Sequence, residues 1–94
     1  MAGIKVFYTI ESSHLQSVLD GIDAAFGLKP SYDENYVSMR GSEDSGIETV
    51  RMSLEGNIVK IMVVLYDDSF IEGFSRIIGT PTKIKGRRSG TLPE

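Results

Sequence analysis

The sequence predicts an α+β fold, a two-layer sandwich of one antiparallel sheet and two helices. Three observations carry this reading: an opening run that alternates in polarity, two stretches with apolar residues at helical spacing, and a glycine-asparagine pair joining two further strand-like runs. At 94 residues the chain has room for one small domain and none for a separate catalytic domain. Apolar residues make up 40% and charged residues 24%, a balance that excludes a disordered or fibrous chain.

Ile4, Val6, Tyr8 and Ile10 alternate with Lys5, Phe7 and Thr9, the period of two of a strand over 4–10. Ser13 and Gln16 have the spacing of a capping box, and Leu15, Val18, Leu19, Ile22 and Phe26 then form a helical stripe over 13–26 that stops at Gly27. From 28 to 46 the pattern dissolves into turn chemistry, which predicts a long, flexible, irregular excursion with at most a short strand at Tyr36–Met39. Gly41 and Gly46 lack the Lys-Ser/Thr of a phosphate loop and read as hinge points.

Val50, Met52 and Leu54 restore the alternation up to 55, Gly56-Asn57 offers a turn in which both residues take positive φ, and 58–66 follows as a strand. That last run is apolar on both faces apart from Lys60, as for a central strand. Ser69 and Glu72 suggest a second capping box, and Phe70, Phe74, Ile77 and Ile78 a helix over 69–78. Thr82–Lys85 reads as a final edge strand, completing residues 1–86, and the basic tail at 87–94 is expected to be disordered.

The order strand, helix, strand, strand, helix and a last edge strand favours a ferredoxin-like sandwich with both helices on one sheet face. The other face is then open. If Ile61, Val63 and Leu65 meet the helices, Phe7, Met62, Val64 and Tyr66 line the open side and form a candidate interface for a homo-oligomer.

Net charge is −3, yet the charges are unevenly spread: residues 1–79 hold six basic and twelve acidic side chains, whereas Lys83, Lys85, Arg87 and Arg88 cluster near the end. This cluster is the candidate anion or phosphate site, for a nucleotide or for nucleic acid. The absence of cysteine removes disulfides, thiolate nucleophiles and zinc ribbons. No charged leader or long apolar run is present, which suggests a cytoplasmic chain that does not engage a membrane.

His14 is the only histidine, so no His-His metal motif or two-histidine relay exists, and its neighbours Ser12 and Ser13 are explained by helix capping. No nucleophile–base–orienter set can be assembled, and the sequence therefore predicts neither an enzyme nor a cofactor or metal. Tyr32 and Tyr36, with Asp33, Glu34, Glu43 and Asp44 around them, are the candidate contacts for a protein partner.

In layout, a strand and helix, a long excursion, the strand Val59–Tyr66, a short helix and a basic final strand, the chain resembles PII-like signalling proteins. That resemblance implies an excursion that meets target proteins and a nucleotide between subunits of a trimer. Ser53-Leu54-Glu55-Gly56-Asn57 and the strand and helix after it are similar to part of a subunit of the tRNA-modifying KEOPS complex. The residues themselves favour a small non-enzymatic regulatory module of the inhibitor or adaptor type, phage-encoded ones included, that acts through protein contacts and self-associates through its open sheet face. The alternatives are a PII-like nucleotide sensor and a nucleic-acid binder acting through its tail.

Overall fold

The computed structural model describes residues 3–86; the tail at 87–94, with Arg87 and Arg88, lies outside the described residues. The elements are β1 (Ile4–Glu11), α1 (Leu15–Phe26), β2 (Ser31–Asp33), β3 (Tyr36–Ser42), β4 (Ile47–Glu55), β5 (Ile58–Leu65), α2 (Ile71–Ile78) and β6 (Lys83–Lys85), with 3-10 turns at Ser12–His14, Glu43–Ser45 and Asp68–Phe70. All strands join one antiparallel sheet in the order β2-β3-β4-β5-β1-β6.

The sheet has six strands where the sequence suggested four and at most a fifth short one at 36–39, because much of the expected excursion pairs. β3 lies along β4 with Val37 opposite Met52 and Met39 opposite Val50, and β2 folds back on β3. The cause is visible in the pattern: Val37 and Met39 alternate with Tyr36, Ser38 and Arg40 and are both buried. Pairing also satisfies the backbone groups along the outer edge of β4.

Capping differs from expectation at both helices. Ser13 caps nothing; His14 stands at the N-cap of α1 without a side-chain bond, Ser17 Oγ donates to the His14 carbonyl, and Gln16 Nε2 donates to Asp20 Oδ1. Before α2, Asp67 rather than Ser69 supplies the cap, its Oδ1 accepting from the Ser69 amide at 2.8 Å, while Glu72 instead pairs with Arg76 at 2.8 Å. Each helix starts through a 3-10 turn, which displaces the expected cap by a residue or more. In the β4–β5 turn Gly56 alone takes a positive φ, 67°, the pattern of a type II′ turn.

The core lies between one sheet face and the two helices. Ile4, Val6, Tyr8 and Ile10 of β1 face Leu65, Val63, Ile61 and Val59 of β5, and all eight are buried. From above come Val18, Leu19 and Ile22 of α1 and Phe74 of α2. Phe26 stacks on Phe74 with centroids 4.5 Å apart and meets Phe70 edge-on at 6.3 Å. The Tyr8 hydroxyl reaches Ser75 Oγ of α2 at 3.0 Å, tying the helix to the sheet. Among the described residues no helix is long and apolar enough to cross a membrane.

Candidate functional site

Strand alternation sends every second side chain away from the helices, and the register lines these up in rows across the open face. One row reads Asp33, Tyr36, Ser53, Lys60, Thr9 from β2 to β1. The next reads Ser38, Arg51, Met62, Phe7, Lys83, and a third Arg40, Thr49, Val64, Lys5, Lys85. The first two rows border a groove of about 1030 Å³. Among the described residues no strand covers it.

Six of the eight basic side chains of residues 3–86 stand in these rows, in a chain with more acid than base. Lys60 meets Glu55 at 3.4 Å, with both side chains more than half exposed, a contact of little energetic weight. For Lys5, Arg40, Arg51, Lys83 and Lys85 no carboxylate lies within ion-pair distance among the described residues. The face also carries carboxylates: Asp33, beside Tyr36, and Glu55 line the groove itself, Glu11 lies opposite Ile58 at the far end of the same side, and Glu48 stands at the bulge in β4.

Phe7 and Met62 lie side by side in the middle row, both half-buried. Val64 also faces this side but is only 7% exposed, and a Cβ added at Gly3 would meet its Cγ1 at 2.8 Å. Tyr66 follows the end of β5 and is 47% exposed. The open side expected from sequence is therefore present, but more cationic and less apolar than Phe7, Met62, Val64 and Tyr66 alone suggested.

The two exposed tyrosines separate. Tyr32 pairs with buried Val37 and so lies on the helix side of the sheet, whereas Tyr36 pairs with Ser53 on the open side. The acidic residues also part company: Asp33 and Glu34 adjoin the β2–β3 turn, while Glu43 and Asp44 sit in the 3-10 turn after β3. A seven-residue strand, roughly 20 Å of backbone, lies between the two groups. Of the basic cluster, Lys83 and Lys85 belong to the open face and Ile84 between them packs toward the core. β6 is anchored where Thr82 donates to the Phe7 carbonyl through its amide at 2.7 Å and its hydroxyl at 3.2 Å.

Lys5, Arg40, Arg51 and Lys60 are the face residues that sequence reasoning passed over. Alternation alone assigns each of them a side of its strand. Only the register shows that they share one surface.

His14 is exposed in the turn before α1, and no group of three metal-ligating side chains occurs among the described residues. Set against family models, curated proteins and solved structures, the chain matches none of them.

Proposed function

We propose that this protein is a binding module whose working surface is the open face of its sheet, and that the partner it holds there is polyanionic. One observation carries the reading: five cations without an ion-pair partner among the described residues share that face, around Phe7 and Met62. In a chain of net charge −3 this segregation gives the face a field opposite to that of the remaining surface. The fold reading belongs to the same proposal. β6, β1, β5 and β4 lie side by side and connect as β-α-β-β-α-β, which supports a ferredoxin-like unit widened by β2 and β3.

Retention on immobilised heparin, a general polyanion, tests this. The full chain is expected to bind despite its net charge and to elute earlier when Lys5 and Lys83 are both changed to Glu. Passage of the unaltered chain through the column without retention at low salt overturns the reading.

Self-association through the same face has an opposite signature. Stacking two copies face to face brings the cationic rows together, so it would strengthen with added salt, whereas polyanion binding weakens. Light scattering across a salt series separates the two.

A further inference from the structure

Resting on the polyanion reading above, we infer that the occupant of the open face is single-stranded nucleic acid, its bases stacked on Phe7 and Tyr36 and its phosphates held by the surrounding cations.

A cationic surface alone attracts any polyanion. Here aromatic rings stand among the charges: Phe7 lies between Met62 and Lys83 in its row, with Arg51 beyond Met62, and Tyr36 shares the adjoining row with Lys60 and is 60% exposed. Aromatic rings and the flat arginine guanidinium are the groups on which unpaired bases stack, and lysines answer the phosphates between them. From β4 to β6 the row holding Arg51 and Phe7 crosses four strands, about 14 Å. That is a platform wide enough for successive bases.

A duplex offers these rings nothing, because its bases are already stacked and its major groove admits a protruding helix or ribbon rather than the face of a six-stranded sheet. A stretch of acidic side chains alone would use the cations but leave the Phe7–Met62 centre without a counterpart.

The juxtaposition of Lys5 and Lys85 points the same way. They are paired residues on neighbouring strands, and no carboxylate lies within ion-pair distance of either among the described residues. Like charges directly opposite are unfavourable until an anion lies between them, as a phosphate would.

The test is fluorescence anisotropy of a labelled single-stranded RNA of mixed sequence with the full chain, over a salt series. Its duplex, heparin and poly-glutamate serve as competitors. Single-stranded RNA is expected to bind more tightly than the duplex. The logarithm of its affinity should fall against the logarithm of salt with a slope near −3.5 if all five unpaired cations engage phosphates. Phe7→Leu and Tyr36→Leu are each expected to weaken binding roughly tenfold, the range found for loss of one stacking partner. Tyr36 is exposed, so its variant keeps the test open should Phe7→Leu disturb the fold.

Heparin binding without preference for single strands and without effect of either variant overturns the inference while leaving the polyanion reading in place. Preferential displacement by poly-glutamate assigns the face to an acidic protein instead. RNA binding lost on Arg87→Ala with Arg88→Ala, but unchanged by Phe7→Leu and Tyr36→Leu, moves the site to the tail and also overturns the inference. No binding to RNA or heparin removes both readings.

Discussion

Lys5 on β1 and Lys85 on β6 stand directly opposite one another across the sheet, on the side turned away from the helices. A pairing of two cations is unfavourable in the free protein, and it marks where stability and binding pull against each other. Lys85→Glu turns the pair into an attractive one. The variant is expected to raise the urea midpoint, by about 0.2–1 kcal/mol of stability at unchanged slope, while weakening polyanion binding. Loss of both properties together would assign Lys85 a purely structural role.

The Tyr8–Ser75 contact leads to a prediction about alkaline pH. Burial pushes the Tyr8 phenol above its ordinary value of 10.0, with the Ser75 hydrogen bond opposing the shift. The folded state therefore holds this proton more tightly than the unfolded chain does. Its contribution is fully present below pH 10 and is lost as pH rises through the raised value. Tyr8→Phe is expected to lower stability by about 0.5–1.5 kcal/mol at neutral pH through the lost hydrogen bond. The gap between the two proteins should narrow above pH 10, which denaturant titration at several pH values will read.

Gly41 is required for space rather than for backbone freedom. A Cβ there would fall on the carbonyl oxygen of Ile47, the first residue of β4, which pairs with Ser42 of β3. Gly41→Ala is expected to cost about 1–3 kcal/mol, as overpacking does, and to loosen the β2–β3 hairpin before the rest of the sheet. Amide exchange of β3 compared with β1 will show whether the loss is local.

Glu34 occupies the β2–β3 turn at φ 44°, in the left-handed region that side chains other than glycine resist. Glu34→Gly relieves that strain and is expected to stabilise the protein by about 0.5–1 kcal/mol after the larger unfolded-state entropy of glycine is allowed for. Thermal unfolding is the measurement. A fall in midpoint would mean that the Glu34 side chain contributes more than its backbone costs.

Much of the fold was legible where one periodicity ran uninterrupted. β1, both helices and the β4–β5 hairpin follow from alternation, an apolar stripe and a turn dipeptide. The two-faced apolar run of β5 marked a strand in the sheet interior, although one of its faces is open rather than covered, with Ile58 and Lys60 exposed and Met62 half-buried there. The helix starts were less legible, since Asp67 and Ser69 compete for one cap and local geometry chose Asp67. The 28–46 stretch misled because its turn residues outnumber its apolar ones. Val37 and Met39 supply only two buried side chains, enough to suggest a short strand at 36–39 but too few to show that it runs on to Ser42 and pairs with β4.

The sequence by itself determined most of the core contributed by β1, β4, β5 and the two helices, and which side of each of those strands it occupies, because alternation and helical spacing are properties of the local chain. Which strands are neighbours, and at what register, was decided only by the tertiary structure. Cross-strand pairing joins residues far apart in sequence, as Phe7 and Met62 are. For that reason the candidate interface was seen as four apolar side chains and a terminal basic cluster. The cationic rows that run through it from Arg40 to Lys85 exist only once the strands are side by side.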